Sequence, residues 1–200
     1  MVREQIAARG VRDARVLAAM ERVPRHCFIP PGEWAEAHED HPVPIGSGQT
    51  ISQPYIVGLM IEALAAEPGS RILEIGAGSG YVSAILAEMG CEVFAMEILE
   101  TLAGQARDRL AVLGYGRVHL RCGDGWRGWP DEAPFDGILV SAAPASVPPE
   151  LLAQLGDAGR LVIPVGEVHQ ELWLYQRTSG GFRGEQLCDV RFVRMTGTAG

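Results

Sequence analysis

Only four cysteines occur among 200 residues, Cys27, Cys91, Cys122 and Cys188, and no two of them form a C-x-x-C pair. That scatter excludes a disulfide framework and the ligand spacing of a structural metal site. Buried free thiols in a reducing compartment are the plain reading, and no metal is expected. Also missing is any apolar run of about 18 residues, so no membrane span is expected. Residues Met1 to Arg15 are charged and lack the apolar stretch of a secretory leader, which points to the cytoplasm. Lys and Arg total 17 against 25 Asp and Glu, a net charge of -8, and no basic run interrupts the chain. This balance disfavours a nucleic-acid partner. Internal repeats and low-complexity segments are absent, and a monomer is expected.

What is present reads as an ordinary globular chain: 47% hydrophobic and 21% charged residues, enough length for one domain with a sizeable core. Up to about Ala66 the pattern is helical and loop-like. Asp13 is placed to cap a helix carrying Val16, Leu17 and Met20, with Pro24 as its stop. Phe28 to Gly48 holds two proline-rich breakers and reads mostly as loop, and a helix is predicted from near Pro54 to Ala66. From Ser70 onward strands and helices alternate. Strands are predicted at Arg71–Ile75, Glu92–Glu97, Val118–Cys122, Phe135–Ser141 and Arg160–Val165. Between the first three lie helical stripes, Val82/Ile85/Leu86/Met89 and Leu99/Leu102/Ala103/Ala106/Leu110, ended by Gly90 and Gly114. Such alternation implies a mostly parallel α/β sheet with helices on both faces. Leu172–Arg177 and Leu187–Met195, separated by Thr178 to Gly181, read as a closing antiparallel pair.

The strongest local motif is Glu74-Ile75-Gly76-Ala77-Gly78-Ser79-Gly80, where the first of these strands meets its helix. Glycines there let a backbone approach a ligand, and open α/β sheets bind ligands at the carboxyl ends of their strands. Tyr81 stands where a dinucleotide fingerprint would have its last glycine, which disfavours a nicotinamide oxidoreductase. S-adenosylmethionine (AdoMet) fits better, with Glu74 near the ligand's cationic amino group. Glu97 ends the next strand, about twenty residues beyond the loop, where a carboxylate can accept both ribose hydroxyls. Asp124, in Gly123-Asp124-Gly125, is a candidate for the adenine amino group, although Asp between glycines is also a common turn. The glycine-bearing segment Ile45 to Tyr55 precedes a helix whose first N–H groups lack partners, a setting that attracts an anion. Ser52 can equally be read there as a helix cap.

These motifs, taken together, resemble the protein-L-isoaspartate O-methyltransferases along nearly the whole chain. The match includes Arg9-Gly10 with Asp13, Val16 to Met20, Val23-Pro24-Arg25-His26, Pro44-Ile45-Gly46, Leu73 to Gly76 and Gly78 to Tyr81. It continues through Gly123-Asp124-Gly125, Pro134-Phe135-Asp136, Ala142-Ala143-Pro144, Pro164-Val165-Gly166 and Gln170. Gly48 to Val57 matches as well, and within it Gln49-Thr50-Ile51-Ser52-Gln53-Pro54-Tyr55 is the segment particular to this family. The resemblance implies a Rossmann-like AdoMet-dependent methyltransferase core at 67–200, with an N-terminal helical cap at 1–66 completing the active site. It implies that Glu74, Gly76, Ala77, Gly78, Glu97, Asp124 and Gly125 hold AdoMet. Ser52 is then the catalytic residue, and Ile51, Ser52 and Gln53 contact the substrate.

The implied reaction is methyl esterification of the free α-carboxyl of an L-isoaspartyl residue in a damaged protein or peptide, followed by uncatalysed cyclisation to a succinimide. A carboxyl of pKa roughly 3.3–3.7 is already ionised at neutral pH, so no strong base is needed. Holding its oxygen in line with the sulfonium methyl can supply on the order of 7–11 kcal/mol. His26, His38 and His41 are therefore read as structural or solvated. The chain departs from the family pattern at Ala37-His38, Ile98, Ser141 and Phe192-Val193-Arg194-Met195. Those departures keep two rivals open: methylation of another carboxylate or small molecule, and a catalytically quiet AdoMet-binding module.

Overall fold

A computed structural model describes residues 1–197; residues 198–200, the last three of the expected core, lie outside the described residues. The chain opens with a π-helical turn, Val2–Ile6, and a 3-10 turn, Ala7–Arg9. Helix α1 (Ala14–Arg22) starts as its sequence suggests: the Asp13 carboxylate accepts the Arg15 N–H at 2.8 Å. That contact satisfies one of the free donors of the first turn. Two more 3-10 turns follow, Arg25–Phe28 and Pro31–Glu36.

The expected loop Phe28 to Gly48 holds one strand, β1 (Val43–Gly46), which forms a small hairpin with β2 (Gln49–Ile51) just beyond it. Its strands are only four and three residues long and one carries Pro44, so they lack the length that makes alternation legible. Val43, Ile45 and Ile51 nevertheless face inward and fix the register, Val43 opposite Ile51. Helix α2 (Pro54–Leu64) then begins with proline in its first turn.

The second part supplies β3 (Arg71–Ile75), α3 (Tyr81–Glu88), β4 (Glu92–Glu97), α4 (Glu100–Val112) and β5 (His119–Cys122). It continues with β6 (Phe135–Val140), α5 (Pro149–Ala153), β7 (Leu155–Val165), β8 (Gln170–Thr178) and β9 (Gly181–Val190). The seven long-range strands form one sheet in the order β5-β4-β3-β6-β7-β8-β9. The first five are parallel and the last two pairings antiparallel.

Parallel strands covered on both faces should read as continuous apolar runs, and β3 does. Ile72 joins a buried cluster on one side with Ile6, Phe28, Met60, Ile85 and Leu139. Leu73 and Ile75 join the other with Phe94, Met96, Ile138 and Val140. The register brings Ile75 level with Met96 and Val140, and Glu97 level with Cys122. The residues just after these strands therefore meet at one edge of the sheet.

Two strands, β7 and β9, depart from the sequence reading by more than two residues. β7 starts at Leu155, before the expected Arg160. β9 runs from Gly181 to Val190, where Leu187 to Met195 was expected. Its first six residues are exposed on an edge strand and carry one apolar side chain, Phe182, without alternation, so the turn shrinks to Ser179-Gly180 between paired Thr178 and Gly181. The displaced residues Phe192 to Met195 cross the sheet edge instead. There the Ala143 N–H donates to the Val193 carbonyl, and the Met195 N–H donates to the Ala143 carbonyl, both at 2.8 Å.

Candidate active site

The glycine loop after β3 is strapped to β4. Gly76 and Ala77 both donate to the Met96 carbonyl, at 2.8 and 3.0 Å, and Gly76 and Gly78 take positive φ values of 83° and 54°. Those angles suit glycine, which has no Cβ to clash. Glu97 bridges the loop to the next one: Oε2 accepts the Gly78 N–H at 2.8 Å and Oε1 accepts the Leu99 N–H at 3.0 Å. Each oxygen keeps a lone pair for a further donor.

Glu74 lies one residue before the strand end and is fully buried, with the Ser83 hydroxyl donating to it. Burial pushes its pKa up to about 8, and the nearby Glu97 adds to the shift. The carboxyl is thus largely neutral at pH 7 and poised to ionise beside a cation.

At the end of β5, a Cβ on Gly125 would come within 2.4 Å of Ile75 Cγ2, so only glycine fits there. Asp124 accepts the Trp126 N–H at 3.0 Å and caps the short turn Gly125–Arg127. Gly123 and Gly125 line the adjoining cleft; Asp124 itself does not, and the Gly197 backbone lies against its carboxylate.

This cleft is walled by the glycine loop, Glu74, Glu97, Thr50 to Ser52 and the crossing segment Val193 to Thr196. A second cleft adjoins Ser52 and is lined by Pro42, Gln53, Ile56 and Asp189 to Val193. Thr50, Ser52, Ser141 and Val193 belong to both. Ser52 is therefore at the junction, Ile51 lines the first cleft, and Gln53 faces the second.

The helix-cap reading of Ser52 does not hold. Gln53 takes the N-cap position of α2 without a side-chain bond to the helix, and the Asp40 carboxylate accepts the Tyr55 N–H at 3.0 Å instead. Among the described residues the Ser52 hydroxyl has no hydrogen-bond partner, which leaves it available to a ligand. Two supporting residues went unread in the sequence. Asp40 also accepts from the Gln53 amide at 2.8 Å, and the buried Arg25 donates to the Ser52 carbonyl at 2.9 Å. Asp40 gave no sequence signal, because its partners are distant in the chain. Arg25 gave a faint one, a lone cation in the apolar setting Val23 to Phe28. His26 and His38 pack against each other, His41 pairs with Glu36, and no histidine lines either cleft among the described residues.

A glycine-cradled cleft at the carboxyl edge of a parallel sheet closed by antiparallel strands, with a carboxylate ending the second strand, defines an AdoMet-dependent methyltransferase. The chain belongs to the protein-L-isoaspartate(D-aspartate) O-methyltransferase family, whose model matches residues 1–200. It is 53% identical over 197 residues to a protein-L-isoaspartate O-methyltransferase of Picosynechococcus sp., covering 98% of this chain and 89% of that one. A namesake from Methylorubrum extorquens is 55% identical over 204 residues, covering 100% and 89%. Among solved structures, a putative family member from Plasmodium falciparum, in complex with S-adenosyl-L-homocysteine, superposes with a TM-score of 0.83 at 26% identity. That likeness covers 98% of this chain and 96% of the other.

Proposed function

We propose that this chain methyl-esterifies the free α-carboxyl of L-isoaspartyl residues in proteins and peptides, with AdoMet as the methyl donor. The observation that carries the reading is the meeting of two clefts at Ser52, one built for a cofactor and one open to a polypeptide. The cradle fits the cofactor: Gly76, Ala77, Gly78 and Gly125 give backbone access, Glu97 offers lone pairs for a ribose, and Glu74 offers a carboxyl for an ammonium. Asp124 belongs to the same set through the turn it caps. When bound, AdoMet supplies an electrophilic methyl group.

The protein's own contribution is placement. An acceptor carboxylate of pKa roughly 3.3–3.7 arrives ionised, which accords with the lack of a histidine on either cleft wall among the described residues. The free Ser52 hydroxyl and the neighbouring backbone of Ile51 and Gln53 orient that carboxylate, and the segment Val193 to Thr196 shields the junction from water. In this reading residues 1–66 form a cap over the 67–200 core, and the chain works as a cytoplasmic monomer without nucleic acid.

The test is mass spectrometry after incubation with AdoMet and two peptides that differ only at one residue. The isoaspartyl peptide should gain a single methyl ester and the aspartyl peptide none. Equal labelling of both, or of neither, would overturn the assignment.

A further inference from the structure

Arg25 is the one charged side chain among the described residues that is completely buried and an arginine. It sits in the 3-10 turn after Pro24, directly behind the Ser52 segment. Nε donates to the Ala37 carbonyl and Nη2 to the Ser52 carbonyl, both at 2.9 Å, while Nη1 is buried without an acceptor. No carboxylate among the described residues forms an ion pair with the guanidinium; burial lowers its pKa, opposed first by the Tyr81 hydroxyl and then by Asp40. The group also lies over the ring of Tyr81, 5.0 Å from its centroid, and Tyr81 lines the first cleft. A buried cation without an anion is costly. The position has a use: the electron-rich Ser52 carbonyl is tied back to Arg25 and kept away from the junction, where it would repel an incoming carboxylate.

We propose that Arg25 is the positioning residue of the acceptor site, fixing the Ser52 peptide and lending the junction a positive charge that favours an anionic acceptor. The inference rests on the reading that the second cleft receives a carboxylate. Arginine suits the task because its planar fork can hold two carbonyls at once and its charge survives burial. A lysine would keep the charge but lose the fork, and a glutamine would lose the charge.

The experiment compares wild type, Arg25→Gln and Arg25→Lys in the full chain, with S-adenosylhomocysteine as cofactor probe. Two peptides are titrated into each complex, an isoaspartyl peptide and its α-carboxamide twin. Wild type should prefer the carboxylate by about tenfold or more, the scale of one favourable charge interaction acting across the Ser52 peptide. Arg25→Gln should cut that preference below about threefold, with the affinity for S-adenosylhomocysteine changed less than about threefold. Arg25→Lys should retain the preference but lose about tenfold in kcat/KM, since the fork no longer sets the Ser52 peptide.

Unchanged preference in Arg25→Gln overturns the proposal. So does an equal loss of cofactor and of both peptides, which is the mark of a purely structural residue. Should Arg25→Gln fail to fold, Arg25→Lys decides alone: preference kept with a lowered kcat/KM supports the proposal, and wild-type kcat/KM or a lost preference overturns it. Wild type that neither methylates nor prefers the carboxylate defeats the isoaspartyl assignment together with this inference. Wild type that does both beside an indifferent Arg25→Gln defeats this inference alone.

Discussion

Ser52 and Glu74 line the same cleft but differ in solvation. The Ser52 hydroxyl, half-exposed at the cleft junction, has no protein partner among the described residues, so its removal should leave the fold intact and harm turnover. Ser52→Ala is expected to lower kcat/KM for an isoaspartyl peptide at least about tenfold, or about 1.4 kcal/mol, with cofactor affinity unchanged. A loss smaller than about twofold would remove Ser52 from the mechanism. Glu74 is the reverse case, a buried carboxyl whose pKa rises from 4.5 to about 8. Between those values the folded state holds a proton that the unfolded chain has released, so stability falls as pH rises through that window. Glu74→Gln removes this dependence. Its melting temperature should gain on that of wild type progressively from about pH 5 to pH 8 and level off above, and parallel curves would refute the burial argument.

At the scale of elements, legibility followed burial. β3 and β4 were placed to the residue because both faces are covered, each run is apolar, and glycines or charged residues punctuate the ends. The same punctuation made the glycine loop and Glu97 readable, since each closes one of those strands. The hairpin of β1 and β2 escaped because it is short and carries a proline. The exposed half of β9 escaped because an edge strand with polar faces has no period to detect. That second error had a cost at the site: of the residues assigned to a strand, Val193 lines both clefts and Arg194 and Met195 line the first.

Asp40 was illegible for a different reason, since its role is made by tertiary contact. It takes the Tyr55 N–H of the first turn of α2, the Gln53 amide and the Arg9 guanidinium. As a remote cap with a favourable charge at a helix N-terminus, it should be worth about 1–2 kcal/mol. Asp40→Ala is accordingly expected to lower the melting temperature by about 2–8 °C in a chain of this size. An unaltered melting temperature would show that the Ser52 segment holds its shape without it.

For the whole molecule, function comes from the register of a parallel sheet. Four strand ends lie side by side, and the loops leaving them supply the glycine cradle, Glu97, Gly125 and Ser141. The N-terminal segment adds Ser52 from one side and the crossing chain after β9 adds Val193 from the other. Arg194, the family departure that places a charge in this wall, lines the cofactor cleft. Neither of the two flanking segments completes the site alone, which is why the second cleft could not be foreseen from local pattern.

The most direct test is a crystal structure of the full chain with S-adenosylhomocysteine and an isoaspartyl peptide bound together. The account predicts the homocysteine product over the glycine loop, its ribose at Glu97, and the peptide in the second cleft with its α-carboxylate at Ser52. A peptide seated elsewhere, or a carboxylate turned away from Ser52, would contradict it.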